Sequence, residues 1–134
     1  YRTVINPRAR LYHKAGATLK KTGRGRLRYY SEKNILRMLL KNYSAWTLTK
    51  VLPRYFLLLL GEFSFYLATR RGSMAWAIVK AVLWNIKHLR GTLSRRRRVQ
   101  GMRAVGDDAI QKDMVKGSVK VDMFKQWLRG EQVI

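Results

Sequence analysis

The sequence predicts a mostly α-helical chain, in which one or two short N-terminal strands precede amphipathic and apolar helices and a polar tail. Apolar residues recur at the helical period over residues 29–43, as on one face of an α-helix. Two apolar, aromatic-rich segments follow, separated by Arg70-Arg71-Gly72, and the second leads to the arginine run 95–98. Because arginines that bracket apolar helices suit an anionic lipid surface, the two segments are predicted to form a membrane-interfacial hairpin.

The chain divides into three predicted regions: 1–28, 29–100 and 101–134. In the first region, the β-branched run 3–5 and the turn signal Asn6-Pro7 predict a strand or pair of strands, followed by a basic, Gly-containing loop. The glycine spacing in that loop matches no P-loop or dinucleotide-binding fingerprint. Because a lone strand is not stable and the chain begins without an initiator Met or signal-peptide pattern, we expect a fragment of a longer protein.

The first helix is predicted over residues 29–43. From Ile35 onward its apolar residues fall at i, i+1, i+4, i+5 and i+8, which places them on one face. Ser31 is the predicted N-cap, with Glu32 favourably placed in the first turn. Ser44 is predicted to cap the helix that follows.

The first apolar segment contains Pro53, which is predicted to kink or restart the helix because it lacks a backbone donor. The apolar run from Tyr55 to Ala68 is shorter than the roughly 20 residues that span a bilayer. Glu62 lies in its middle, and an acidic side chain at the bilayer centre costs about 2.5 kcal/mol or more. A simple membrane span is therefore disfavoured.

The second apolar segment, residues 74–90, leaves only a narrow polar stripe through Lys80, Lys87 and Arg90. Ser73 is predicted to cap its start and Gly91 to end it. It is also too short to span, so we expect it to lie in the interface with its lysines reaching toward head groups. The alternative is a soluble helical hairpin whose two apolar segments form a core.

The aromatic and basic residues of this hairpin are the predicted membrane contacts. The aromatic members are Tyr55, Phe56, Phe63, Phe65, Tyr66, Trp76 and Trp84. The basic members are Arg70, Arg71, Arg95, Arg96, Arg97 and Arg98. Each basic residue near an anionic surface contributes about 1 kcal/mol of attraction, which favours the membrane over the soluble alternative.

The net charge is +22 and the pI about 11.3, with all of the excess in residues 1–106 and a neutral segment after them. Such a field predicts a polyanionic partner, either nucleic acid or an anionic leaflet. There are no cysteines, so disulfides and thiolate metal sites are excluded.

Few residues could carry catalysis. His13 ends the predicted strand where a loop begins, a position that often carries active-site groups, whereas His88 lies at a basic helix end and is read as solvated or interfacial. Asp107-Asp108 reads as an ordinary helix start. No Asp-x-Asp metal site, nucleophile elbow or metal-ligand cluster is found in the sequence. We expect this chain by itself to be catalytically inactive.

The order of several short motifs over residues 1–105 resembles the C-terminal part of bacterial and archaeal family-2 glycosyltransferases. The closest likeness is to the rhamnosyltransferase-like branch that builds cell-surface polysaccharides. The motifs are Pro7-x-Ala9-x-x-x-His13, then Gly16-Ala17-Thr18, then Tyr29-Tyr30 with Lys33-Asn34, and the basic stop Arg97-Arg98-Val99-Gln100. Lys33 stands where that branch has Arg.

The resemblance implies a GT-A nucleotide-sugar-binding domain upstream of this chain, with its Asp-x-Asp metal motif and catalytic base. It also implies a divalent metal, Mg or Mn, and a polyprenyl-linked or growing glycan acceptor, with the enzyme at the cytoplasmic face of the cell membrane. His13 would face the active site, as a candidate catalytic residue near the metal or diphosphate and a single metal ligand. Thr18, Arg24 and Arg26 would lie near donor phosphates or acceptor.

Two other functions stay open. The pI and the interleaved Tyr and Arg residues are also typical of a basic nucleic-acid-binding module such as a small ribosomal protein. Charge segregated around apolar runs argues against it. The other alternative is a membrane-interaction module with no catalytic partner domain.

Overall fold

The computed structural model describes residues 23–114 continuously, together with residues 8, 10, 117, 121–122, 125–126 and 129. Within 23–114 the chain forms five α-helices and no strand, which confirms the mostly α prediction. They are α1 (Arg24–Asn42), α2 (Ala45–Ala68), α3 (Gly72–Lys87), α4 (Leu89–Gly101) and α5 (Asp107–Lys112). The predicted N-terminal strands fall on residues 1–13, which lie outside the described residues except for Arg8 and Arg10.

Helix α1 begins at Arg24, after the N-cap Gly23, so the predicted start at Tyr29 was wrong. Ser31, the predicted N-cap, is an exposed residue inside the helix. The earlier turns are held by contacts with α3: a Cβ on Gly25 would lie only 3.1 Å from the Ser73 carbonyl oxygen. Glycine therefore lets the two helices approach closely at their N-terminal ends.

Helix α2 begins as predicted, since the Ser44 Oγ accepts a hydrogen bond from the Thr47 N–H at 3.1 Å. Pro53 was predicted to kink or restart the helix; a restart is excluded, because α2 continues as one helix from Ala45 to Ala68. A proline inside a helix removes one backbone hydrogen bond. The helix stays continuous past Pro53, and on the turns that follow, Tyr55 and Leu59 pack into the core.

The Arg70-Arg71-Gly72 break forms the turn between α2 and α3. Arg70 has a left-handed φ of 54°, and the Arg71 N–H donates to the Tyr66 carbonyl at 2.8 Å, which closes the end of α2. Helix α3 starts at Gly72, with no side-chain cap from Ser73. The predicted end at Gly91 was wrong: α3 ends at Lys87, and Gly91 lies inside α4.

The core lies where three helices meet. Helices α1 and α2 run antiparallel, as the Arg28–Glu62 and Glu32–Tyr55 contacts show. Helix α3 packs against both, with alanines at its buried face that permit a close approach. The buried apolar cluster consists of Leu36 and Leu39 from α1, Tyr55 and Leu59 from α2, and Ile78 from α3.

Candidate membrane-binding surface

The outward face of α2 is the most apolar surface in the described part of the chain. Trp46, Leu57, Leu60 and Leu67 are 69%, 70%, 60% and 54% exposed, and they share one face at helical spacing. Pro53 is also exposed on this face. We call these five residues the α2 outer face. Thr49 and Ser64 are exposed at the same helical positions, so the face is a row of apolar side chains with small polar residues between them. Such a row favours a partner that is itself apolar.

Glu62 does not interrupt this face, because its side chain turns inward. Its carboxylate forms an ion pair with the Arg28 guanidinium, which also pairs with Glu32 at 3.1 Å. The α2 outer face therefore carries no charge beyond Arg54, up to the end of the helix. The predicted penalty for Glu62 does not apply to a membrane that contacts only the outer face.

The inward side of α2 makes a second polar contact with α1, two turns before Glu62. The Tyr55 hydroxyl donates a 2.5 Å hydrogen bond to Glu32 Oε2, and the Glu32 side chain is only 1% exposed. Burial raises the pKa of the Tyr55 phenol, and its hydrogen bond to Glu32 raises it further. Glu32 is therefore not a first-turn residue that favours the helix dipole, as its sequence position predicted, but a buried link between α1 and α2.

By length and composition, α2 is the one helix among the described residues that could cross a membrane. Those criteria do not separate a spanning helix from one that lies in the interface. Helix α1 contacts α2 through the Arg28–Glu62 and Glu32–Tyr55 pairs and carries seven charged residues. Drawing α1 into hydrocarbon beside α2 would cost several kcal/mol per uncompensated charge, whereas an interfacial orientation leaves α1 in water.

Helix α3 exposes a face that carries both apolar and cationic side chains. Trp76 and Leu83 are exposed on one face at i and i+7, with Lys80 and Lys87 between and beyond them. Alternation of apolar and cationic side chains along one face is typical of helices that lie at a lipid surface. The aliphatic stems of Lys80 and Lys87 add apolar area to this face, while their ammonium groups extend away from it into solvent.

The predicted aromatic contacts divide into exposed and inward-facing residues. Phe56 and Trp76 are exposed, so they remain available to a membrane. Tyr55 is 7% exposed and lies in the core, so the prediction that it contacts a membrane was wrong. The half-buried residues are Phe63, Phe65, Tyr66 and Trp84.

The predicted basic contacts also divide. Arg70 and Arg71 are exposed in the turn, and Arg95, Arg97 and Arg98 are exposed on α4. Arg96 instead turns toward α1, where its guanidinium donates to the carbonyls of Leu40 and Tyr43, each at 2.6 Å. These are among the carbonyls that a helix end leaves without intrahelical donors. Arg96 is thus a cap for α1, and the prediction of a membrane contact was wrong.

Asp107 fastens the region after α4 to the turn between α1 and α2. Its Oδ2 accepts the Ser44 N–H at 2.7 Å, and its Oδ1 pairs with Arg103. Burial alone would raise the pKa of the Asp107 carboxyl, but hydrogen bonds from Thr47, Ser44 and Arg103 hold that pKa well below its usual range. Sequence reasoning saw only a helix start at this position, which is correct for α5.

The Asp107 contacts predict an acid-dependent loss of stability. Since the folded pKa of Asp107 is depressed, its contribution is fully present above the unfolded value of about 3.9 and is lost as the pH falls below it. Urea unfolding followed by circular dichroism, at neutral pH and near pH 3, should show less acid destabilisation in Asp107→Asn than in wild type. The exposed neighbour supplies the control: Asp108→Asn should behave like wild type. Equal acid sensitivity in all three proteins would contradict the assignment.

The candidate catalytic residues fall mostly outside the described residues. His13 and Thr18 are not described, while Arg24 and Arg26 are exposed on the first turn of α1. Over 23–114 and the other described positions, no group of three or more His, Cys, Asp or Glu side chains could hold a metal. The described residues therefore do not by themselves fit the divalent metal that the resemblance implies.

No known protein family matches the chain, and no curated protein or solved structure is detectably similar to it.

Proposed function

We propose that this chain is the membrane-associating C-terminal part of a glycosyltransferase. The parent enzyme transfers a sugar from a nucleotide-sugar to a lipid-linked or growing glycan acceptor, at the cytoplasmic face of the cell membrane. The observation that carries the membrane role is the α2 outer face, which carries no charge after Arg54 because Glu62 pairs inward with Arg28. The support for the enzyme class is the ordered series of motifs in residues 1–105.

In this proposal the upstream domain carries the chemistry and the described helices carry the membrane attachment. Donor binding and the divalent metal, which would stabilise the departing diphosphate, belong to the upstream domain, with His13, Thr18, Arg24 and Arg26 at its edge. The described helices hold that domain against the leaflet. Excess positive charge steers the protein to anionic lipid, and the apolar α2 outer face then enters the interface.

Tryptophan fluorescence tests the membrane role. Two variants each keep one tryptophan, Trp46 or Trp84, with Phe at the other three positions, and each is mixed with vesicles of phosphatidylcholine and phosphatidylglycerol brominated on the acyl chains. We expect strong quenching of Trp46, which lies on the α2 outer face, and weak quenching of Trp84, which is half-buried. Equal quenching at both positions, or none at either, would contradict the proposed orientation.

The enzyme class has a separate test. The reading frame upstream of Tyr1 should encode an α/β domain that contains an Asp-x-Asp motif. A frame that lacks such a domain would leave a membrane-interaction module without catalytic partner and would remove the transferase from the proposal.

A further inference from the structure

A basic groove runs along α1 where α3 and α4 pack against it. One part is a shallow cavity of about 300 Å³ lined by Tyr29, Lys80, Leu83, Trp84 and Lys87. The other is a cavity of about 260 Å³ lined by Asn34, Arg37, Met38, Lys41 and Arg95. The two adjoin, since Arg37 of the second lies over the Trp84 ring of the first, with its Cζ 5.4 Å from the ring centroid.

Beside the groove, the Lys33 side chain lies against the aromatic rings of α1 and α3. The Lys33 ammonium lies 4.8 Å from the Trp84 centroid, 4.6 Å from that of Tyr30 and 5.4 Å from that of Tyr29. Trp84 is itself stacked on His88, with centroids 4.0 Å apart. Cation–π contacts of this kind restrain side chains that would otherwise move freely in solvent. The Trp84 ring therefore restrains Lys33 beside the groove and Arg37 in its lining.

The lining of the groove contains several cations and, among the described residues, no carboxylate. The ion pairs within 23–114 join the carboxylates of Glu32, Glu62 and Asp107 to arginines outside the groove. A cluster of cations with no carboxylate among them suits a ligand with several anionic oxygens.

We infer that the basic groove binds the phosphate of an anionic phospholipid head group. Lys80 and Lys87 lie on the same face of α3 as the exposed Trp76 and Leu83, so the groove opens beside a surface that enters the interface. Leu83 and Met38 line the two cavities and would contact the apolar part of the lipid. A basic pocket between helices is a common form of binding site for lipid head groups, and the groove has that form.

RNA is the less suitable occupant of the groove. Single-stranded nucleic acid is bound on open aromatic faces where bases stack. Here the Trp84 ring is stacked on His88 and is also covered by Lys33 and Arg37. The small cavity volumes also fit a head group better than a run of nucleotides.

Two triple variants of the 134-residue chain test this inference with equal loss of charge. The groove variant is Lys80→Gln, Lys87→Gln, Arg95→Gln, and the control variant is Lys112→Gln, Lys125→Gln, Arg129→Gln; all six side chains are exposed. Affinity is measured by co-sedimentation with phosphatidylcholine vesicles that contain phosphatidylglycerol. We expect the groove variant to lose about tenfold more affinity than the control, and the charge-preserving variant Lys80→Arg, Lys87→Arg, Arg95→Lys to bind like wild type.

Three results would overturn the inference. Equal losses of vesicle affinity in the groove and control variants would show that binding to anionic lipid depends only on the total charge of the protein. A loss of affinity for an RNA oligonucleotide that exceeds the loss for vesicles would assign the groove to nucleic acid. Binding of inorganic phosphate that the groove variant loses while it keeps the vesicle affinity of the control variant would assign the groove to free phosphate. The inference rests on the proposed membrane role, whose failure looks different: wild type would then not bind the phosphatidylglycerol-containing vesicles at all.

Discussion

Arg28→Leu is expected to lower the free energy of unfolding by about 3–5 kcal/mol. Arg28 pairs with both Glu32 and Glu62, so the variant leaves two carboxylates without that guanidinium at the junction of α1 and α2. Glu32 is almost completely buried and would keep its hydrogen bond from Tyr55 but lose its positive counter-charge, and breaking a buried ion pair by removing one partner is strongly destabilising. Urea unfolding at neutral pH, followed by circular dichroism, measures the change. Arg26→Leu, at an exposed position of the same helix, should stay within about 0.5 kcal/mol of wild type.

A companion variant separates the ion pairs from simple packing. Replacing the whole network by apolar residues, with Arg28→Met, Glu32→Leu, Glu62→Met and Tyr55→Phe, should restore most of the lost stability, because no buried charge remains. If the free energy of unfolding of Arg28→Leu lies within about 1 kcal/mol of the wild-type value, the network does not hold α1 against α2. The inward orientation of Glu62 then loses its support.

The helical period carried much of the fold prediction. Apolar spacing gave the helix around Ile35 and both apolar helices, local capping chemistry gave the start after Ser44, and the acidic pair gave the start at Asp107. These features depend on residues a few positions apart, which a sequence displays directly. The start of α1 was misplaced because Gly23 and Gly25 suggest a loop, and the contact that favours helix there comes from Ser73.

The site was less accessible to sequence reasoning, because its organisation depends on contacts between distant residues. Arg28 and Glu32 have the i,i+4 spacing of a helical ion pair, and this signal was available once residue 28 was placed in the helix. The partner Glu62 lies on another helix and gave no such signal. Likewise, four consecutive arginines look equivalent in sequence, whereas successive residues of a helix point about 100° apart, and only Arg96 meets the end of α1.

Apolar residues of similar exposure have different expected roles at the membrane. Leu57→Asp with Leu60→Asp places two carboxylates on the α2 outer face, while Met102→Asp with Val105→Asp places two on the segment after α4. The four side chains are 70%, 60%, 70% and 54% exposed. Both double variants lose the same charge, so their general attraction to anionic vesicles falls by the same amount. Any further difference between them reports contact of leucine with the apolar part of the interface.

We expect the Leu57→Asp, Leu60→Asp variant to bind phosphatidylcholine–phosphatidylglycerol vesicles about a hundredfold more weakly than the Met102→Asp, Val105→Asp variant. Fully burying a leucine contributes about 1.5–3 kcal/mol, so two leucines that are partly inserted account for about 3 kcal/mol, or roughly two decades in affinity. Co-sedimentation measures both variants side by side. Equal affinities would show that the α2 outer face does not enter the membrane, and the inward pairing of Glu62 with Arg28 would then serve only the packing of α1 on α2.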